Sequence, residues 1–303
     1  MSLPINGLHH VTSLASDARV NNDFFTNTLG LRRVKKTVNF DAPDTYHLYY
    51  GDAAGTPGSV MTYFPFAHMM PGRAGTGEVG ETIFAVPEGS LGFWADRLGT
   101  DDHVTRFGET HLRFAGPDGD RFSLVESADA RQGWTGAVGS DEAVRGFKGA
   151  SLKLRDGGAT GELLRFMGYE VEATEGTVTR YRVPNGNGAD VIDLEVLPGT
   201  PLARQGSGSV HHIAFSVPDR AAQDLVRKAI ADTGYQITPP IDRDYFWAVY
   251  FRTPGGVLFE VATAEPGFDR DEAPEHLGEA LKLPRQHEHL RAAIEAHLEP
   301  IGA

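Results

Sequence analysis

Short segments in which apolar and polar residues alternate recur along the chain and predict β-strands. Two of them are alike, GLHHVTSLA at residues 7–15 and GSVHHIAFSV at residues 208–217. Both are rich in β-branched residues, as strands are. Each is followed by an aspartate, Asp17 or Asp219, and then by a stretch with helical spacing. Because an aspartate side chain accepts hydrogen bonds from the free amides at a helix start, we expect both residues to be N-caps.

Two fainter copies of this strand–helix pattern lie between the first and the last. They begin near residue 81 (ETIFAVPEGS) and near residue 150 (ASLKLRDGGA), and every copy closes with a glycine-containing turn and another strand, as in TPGGVLFEVAT. Glycine adopts the left-handed conformation that ends helices. At spacings of 69, 69 and 66 residues, the predicted helices end at Gly30, Gly99, Gly168 and Gly234. We therefore predict four repeats of one strand, one helix and about three strands.

The four βαβββ modules predict an α+β fold in two domains. A polar, glycine-rich linker, residues 131–146, separates modules 1 and 2 (residues 1–130) from modules 3 and 4 (residues 147–265). Residues 266–303 are predicted to form a helical tail, because three apolar residues recur there at helical spacing: Leu290, Ile294 and Leu298.

Composition narrows the class of protein. The chain has 303 residues, 40% of them hydrophobic and 23% charged, and carries a formal net charge of −13. That charge argues against nucleic acid or an anionic membrane as a partner. Without cysteine, disulfides and thiolate metal sites are excluded. No apolar run approaches the roughly 18 residues of a membrane span, and the N-terminus lacks a secretory signal, so a cytoplasmic protein is expected.

The two HH pairs and one buried-looking acid predict a metal site. Neighbouring residues of a strand point to opposite faces, so one histidine of each pair can face a shared cavity. In the repeat alignment His10 matches His212, and the last strand of module 4 offers Glu260 between two apolar residues. A buried carboxylate is costly unless it is paired or bound to a metal. Two imidazoles and one carboxylate suit Fe(II) or Mn(II) and leave coordination positions open.

These segments resemble the vicinal oxygen chelate (glyoxalase/extradiol dioxygenase) superfamily. GLHHVT opens the chain and YFRTPGGVLFEVAT lies near its end, while LGLRRVKKTVNFDAPDTYHLYYGD (residues 29–52) and LGEALKLPRQ are similar to hydroquinone-type ring-cleaving dioxygenases. The resemblance implies modules paired into half-closed barrels around Fe(II), or sometimes Mn(II). It also implies an aromatic diol and O2 as substrates, and as metal ligands His10, His212 and Glu260.

The repeats also indicate which modules build the site. Modules 2 and 3 open with ETIFAVPE and GASLKLRD, which contain no histidine. Only modules 1 and 4 can supply both imidazoles, so the first and last modules are expected to meet in space. Module 3 keeps Glu195 in DLEV, which we align with Glu260. Without a histidine partner, Glu195 is expected to be exposed or ion-paired.

Four further residues are candidates for substrate binding. The resemblance implies that Tyr250 hydrogen-bonds the substrate oxygen, that Arg243 steadies a phenolate or stacks on the ring, and that His211 serves in acid–base chemistry. Thr12 shares a strand face with the first metal ligand. The alternatives are a core aromatic for Tyr250 and a surface ion pair for Arg243. Strict strand alternation places His9 and His211 away from the metal.

Two other functions stay open at this point. Glyoxalase-type isomerases use a carboxylate from each of two modules, but module 1 has Thr62 where its glutamate would be. The missing carboxylate favours oxygen chemistry over an isomerase or lyase. A small-molecule-binding protein without catalytic metal is the other alternative. The sequence leaves open the aromatic substrate, the choice of iron or manganese and the oligomeric state, a homo-oligomer included.

Overall fold

The computed structural model describes residues 3–302 and contains the predicted modules in order. The strands are β1 (Leu8–Ala15), β2 (Arg32–Val38), β3 (Tyr46–Gly51), β4 (Val60–Pro65), β5 (Glu78–Val86), β6 (His103–Arg106), β7 (Glu109–Ala115), β8 (Arg121–Glu126), β9 (Gly146–Leu154), β10 (Glu170–Glu175), β11 (Val178–Arg182), β12 (Val191–Val196), β13 (Val210–Val217), β14 (Ile241–Asp242), β15 (Phe246–Arg252) and β16 (Leu258–Pro266). The α-helices are α1 (Ala18–Asp23), α2 (Leu91–Leu98), α3 (Gly158–Phe166), α4 (Arg220–Asp232) and α5 (Arg291–His297).

Helix starts and ends follow the local sequence signals. The Asp17 side chain accepts from the first amides of α1, which a π-helical turn continues over Phe24–Thr28. Asp219 accepts from the amide of Ala222 at the start of α4. The glycine after each module's helix has positive φ, of 70°, 63°, 100° and 92° for Gly30, Gly99, Gly168 and Gly234. The predicted caps and glycine stops are confirmed.

The modules pair into two curled sheets of eight strands each. One sheet has the order β14-β15-β16-β13-β1-β4-β3-β2 and combines modules 1 and 4. The other has the order β10-β11-β12-β9-β5-β8-β7-β6 and combines modules 2 and 3. This arrangement confirms the α+β fold and the expectation that the first and last modules meet. Each sheet takes strands from both sides of the predicted linker, which forms no helix or strand before Gly146.

A continuous apolar core joins the helices to both sheets. It includes Phe25 after α1 and Phe122 in β8, whose ring centroids lie 6.0 Å apart. In the tail, Ile294 and Leu298 are buried, whereas Leu290 is 37% exposed. No helix within residues 3–302 combines the length and the apolar character needed to cross a bilayer.

Bulges at the β1–β13 junction break the strict alternation of side chains. Across this antiparallel pair His10 lies opposite Ala214 and Thr12 opposite His212. The register shifts between Leu8 and His10, and again between Thr12 and Ser13. An extra residue in a bulge re-aims its side chain. At these bulges the ring of His9 lies against that of His10, and the ring of His211 lies against that of His212, so strict alternation does not describe either pair.

The corresponding register in the second sheet changes one alignment. In the second sheet, Ser151 on β9 corresponds to Ala214 on β13. The residue paired with Ser151 on the parallel strand β12 is Asp193. The residue paired with Ala214 on the parallel strand β16 is Glu260. Glu195 lies two residues further along, opposite Lys153. Asp193, and not Glu195, is thus the counterpart of Glu260. Arg180 binds both carboxylate oxygens of Asp193 at 2.8 and 2.9 Å.

Candidate metal centre

Three adjacent strands at the centre of the first sheet bring His10, His212 and Glu260 together. They lie on β1, β13 and β16, which are neighbours in the sheet. All three are buried, with exposed fractions of 2%, 5% and 0%. Among the described residues, these three side chains lie close enough together to hold one metal ion. The sequence positions are 202 and 48 residues apart, so only the pairing of modules 1 and 4 creates the cluster.

The three side chains converge on one point. The Nε2 atoms of His10 and His212 are 3.3 Å apart, and Glu260 Oε2 lies 3.3 Å from the first and 2.8 Å from the second. Despite these short distances, neither oxygen of Glu260 is in hydrogen-bonding geometry with a partner. Ligands at right angles on a metal with bonds of about 2.1 Å are separated by about 3 Å. The donor set and its spacing fit a single divalent cation.

The ionisation states also suit a metal. Burial acts to raise the pKa of Glu260, but the adjacent imidazoles of His10 and His212 outweigh it and hold this pKa below its ordinary value. Burial lowers the pKa of His212, although Glu260 acts in the opposite direction. An ionised carboxylate and a neutral imidazole are the forms in which Glu260 and His212 could bind a metal ion.

His9 orients the first ligand. Its Nδ1 lies 3.0 Å from His10 Nδ1, and its Nε2 lies 3.1 Å from the carbonyl oxygen of Thr263. Because that carbonyl only accepts, His9 carries its proton on Nε2, and its Nδ1 accepts the proton of His10 Nδ1. The Nε2 lone pair of His10 is then free for a metal. Burial, with His10, lowers the pKa of His9 to about 3 and keeps it neutral.

His211 plays the same part for the second ligand and also faces the cavity. Its Nδ1 lies 2.8 Å from His212 Nδ1. When His212 donates through Nδ1, His211 accepts there and carries its own proton on Nε2. His211 also lines the cavity beside the cluster. Chiefly because of its burial, its pKa is lowered to about 4.

The cavity next to the cluster has a volume of about 490 Å³, the size of a small-ligand site. It is lined by His10, Thr12, Leu14, Asn39, Phe40, Asp41, His47, Tyr49, Phe64, Phe66, Met69, His211, His212, Thr238, Arg243, Phe246, Tyr250 and Leu258. Aromatic and aliphatic side chains form most of the wall, and the histidines, Arg243 and a few hydroxyl and amide groups supply its polar part. Such a cavity favours a flat, apolar molecule with polar atoms at one end.

Tyr250 and Arg243 lie together on the cavity wall. Arg243 Nε donates to the Tyr250 hydroxyl at 3.4 Å, and its guanidinium stands over the rings of Phe40 and Tyr250. Burial and Glu260 raise the pKa of Tyr250, which keeps the phenol protonated. Arg243 also reaches the exposed Asp41 at 3.6 Å. Both residues face the cavity, and their roles toward a substrate stay predictions.

A buried chain of polar groups at the cavity edge was missed from the sequence. Thr12 Oγ1 lies 3.0 Å from Thr62 Oγ1, Thr62 Oγ1 lies 2.8 Å from His47 Nε2, and His47 Nδ1 lies 2.8 Å from the Tyr49 hydroxyl. Alternation in YHLYYG places residues 47 and 49 on one face of β3. That signal was present, but the neighbouring strands were needed to show that this face meets the cavity.

Thr62 indeed occupies the position opposite Thr12 on β4. Among the described residues, the metal-type cluster contains Glu260 as its one carboxylate. The cavity wall adds only Asp41, whose side chain is 81% exposed. Within residues 3–302 the site therefore has one buried carboxylate, that of Glu260.

Comparisons with known proteins give one family. Residues 7–261 match the Glyoxalase/Bleomycin resistance protein/Dioxygenase superfamily. The chain is 43% identical to the "Putative ring-cleaving dioxygenase MhqO" of Bacillus subtilis, over 97% of this chain and 96% of that one. It is 34% identical to the "Chlorohydroquinone/hydroquinone 1,2-dioxygenase" of Sphingobium indicum, over 94% of each. A solved structure of a "putative dioxygenase" from Bacillus subtilis superposes with a TM-score of 0.96 at 42% identity, covering 99% of both chains.

Proposed function

Because the chain belongs to the Glyoxalase/Bleomycin resistance protein/Dioxygenase superfamily, we propose that it is an Fe(II)-dependent ring-cleaving dioxygenase of hydroquinones or catechol-type diols. Its full-length similarity to proteins named ring-cleaving and hydroquinone dioxygenases makes it an enzyme of the dioxygenase type. The identity of the metal and the identity of the diol substrate are the parts of this function that we propose. Mn(II) is the alternative metal, since its ligand preferences overlap with those of Fe(II).

The observation that carries the proposal is the cluster of two imidazoles and one carboxylate at the floor of an aromatic cavity. His10, His212 and Glu260 would hold the ion and leave coordination positions open toward that cavity. A ferrous ion bound there supplies the redox chemistry that joins a diol to O2. The protein's own contribution is to bind and orient the ring and to place protons.

The surrounding residues suit an electron-rich, anionic ring. Arg243 offers a positive charge to a phenolate oxygen, and Tyr250, kept protonated by its raised pKa, offers a hydrogen bond. His211, which also lines the cavity, offers its Nε2 proton. Phe64 and Phe246 form part of the apolar wall, which excludes water from the ring. These four roles are part of the proposal.

The two other candidate functions fit the site less well. An isomerase of the glyoxalase kind needs a second carboxylate as base, and Thr62 fills that place with its hydroxyl already hydrogen-bonded. A purely sequestering protein has no need for a buried carboxylate between two imidazoles. Neither observation favours the alternatives.

The test is oxygen uptake by protein loaded with ferrous iron without air. We expect consumption of O2 with at least one member of a panel of hydroquinones and catechols, together with one bound iron per chain. The variant Glu260→Ala should lose both the bound metal and the activity. The matched control is Glu195→Gln, on the corresponding strand of the second sheet, which should keep both.

Absence of O2 uptake on every diol, with iron bound, would overturn the proposed reaction while leaving the metal site intact. Retention of stoichiometric metal by Glu260→Ala would overturn the ligand assignment.

A further inference from the structure

The chain of hydrogen bonds from Tyr49 to Thr12 has a direction. Tyr49 is 1% exposed, His47 7%, and Thr62 and Thr12 1% or less. Within residues 3–302 each of the two inner groups contacts only its neighbours in the chain through its side-chain polar atoms. A buried chain of this kind must place each proton between two particular atoms, because an unpaired donor is costly.

Chemistry decides which way the protons point. A phenol is a better donor and a poorer acceptor than an aliphatic alcohol, because its oxygen lone pair is delocalised into the ring. The neutral imidazole has one donor and one acceptor nitrogen. Tyr49 therefore donates to His47 Nδ1, and His47 donates through Nε2 to Thr62. Burial lowers the pKa of His47 well below its ordinary value, so the ring is neutral and holds a single proton.

The direction continues to the cavity. Thr62 accepts the proton of His47 and donates its own to Thr12 Oγ1, 3.0 Å away. Thr12 lines the cavity, as His47 and Tyr49 also do and Thr62 does not, and its hydroxyl proton is then left for a bound molecule. If the hydrogen bonds ran in the opposite direction, Thr12 would donate its proton to Thr62 and would have none left for a bound molecule.

We propose that Tyr49, His47 and Thr62 are positioning residues that fix Thr12 as a hydrogen-bond donor to an oxygen of the bound diol. The proposal rests on the proposed function for the identity of the ligand. The direction of the hydrogen bonds does not depend on the proposed function, because it is a property of the protein alone. On a diol the acceptor is a phenolic or phenolate oxygen, because these are the atoms of the molecule that carry lone pairs.

The direction is measured by nitrogen NMR of the full chain loaded with diamagnetic zinc. With histidine labelled by nitrogen-15, the ring signals distinguish the two neutral tautomers, and the His47 signal is identified by its loss in His47→Asn. We expect the proton of His47 on Nε2. A proton on Nδ1 would overturn the proposal, whether or not the protein has any dioxygenase activity.

The consequence for binding is measured by anaerobic calorimetric titration with the diol. Thr62→Val and Tyr49→Phe should each weaken binding by about fivefold, the effect of one hydrogen bond, and Thr12→Val should do so at least as much. In the Thr12→Val background Thr62→Val should have almost no further effect, because Thr62 does not line the cavity and acts through Thr12. The matched control is Tyr50→Phe, one residue along the same strand, whose hydroxyl contacts Asn21 instead; it should leave binding unchanged.

Additive effects of Thr12→Val and Thr62→Val would overturn the proposal, since residues acting through one atom cannot add. With turnover measured as well, the loss is expected in KM with kcat little changed, whereas general disruption of the site lowers kcat. A wild-type protein that binds the diol without consuming O2 would remove the proposed reaction but would leave the binding series as a valid test of the chain.

Discussion

At the scale of single residues, each HH pair divides two tasks between neighbours. His10 and His212 present Nε2 to the cluster, while His9 and His211 accept at Nδ1 and so fix which nitrogen of each ligand is free. Phe246 packs against the rings of His9 and His10 with centroids 5.2 and 5.0 Å away. A ligand held in one tautomer and one orientation binds a metal more tightly than a ring that must reorient first.

Replacing His9 should therefore weaken metal binding although His9 is not a ligand. For His9→Phe we expect about 10- to 100-fold lower affinity, the usual cost of losing an outer partner of a metal-bound histidine. His9→Gln keeps an acceptor oxygen and should lose less. The measurement is competition for zinc or iron against a chelator of known affinity. Equal affinities of His9→Phe and wild type would contradict the assigned tautomer.

At the scale of elements, the sequence predicted the repeats but not their local irregularities. The spaced glycines and aspartates identified every module, because caps and left-handed stops are local signals. The bulges beside His9 and His211 could not be predicted, since a bulge depends on the partner strand. Glu195 was aligned with Glu260 for a similar reason. Residues 193 and 195 lie on one face of β12, so alternation cannot distinguish them, and only the register with β9 does.

Where the first sheet has Glu260 in the candidate metal centre, the second sheet has a buried ion pair, and this pair should support stability alone. Arg180 is 2% exposed and Asp193 is fully buried. Asp193→Ala leaves the guanidinium without its main partner and should lower the free energy of unfolding by about 3 kcal/mol. The double variant Arg180→Met/Asp193→Leu should recover most of that loss. Urea unfolding measures both. Metal affinity should stay unchanged, and its loss in either variant would show that the two sheets are coupled.

At the scale of the whole molecule, the two sheets meet through polar as well as apolar contacts. Tyr63, on β4 of the first sheet, donates at 2.7 Å to Asp120, which precedes β8 of the second. Asp118 accepts from both the amide and the hydroxyl of Ser16. The tail contacts the first sheet as well, because Gln286 donates to the carbonyl of Phe40, a residue that lines the cavity. Sequence reasoning could not find these contacts, since they join modules distant along the chain.

The buried carboxyl at this junction predicts how stability depends on pH. Burial raises the pKa of Asp120 from 3.8 to about 6, with the Tyr63 hydroxyl opposing it. Between about pH 4 and 6 the folded state therefore keeps a proton on Asp120 that the unfolded state has released. The stability that this protonated carboxyl contributes is present below about pH 4 and is lost as pH rises through 6. Asp120→Asn retains an acceptor for Tyr63 without the charge. Relative to wild type, its free energy of unfolding should rise by up to about 3 kcal/mol between pH 4 and 7, measured by urea unfolding. The exposed control Asp96→Asn should show no such change, and a constant difference between Asp120→Asn and wild type across this range would contradict the raised pKa.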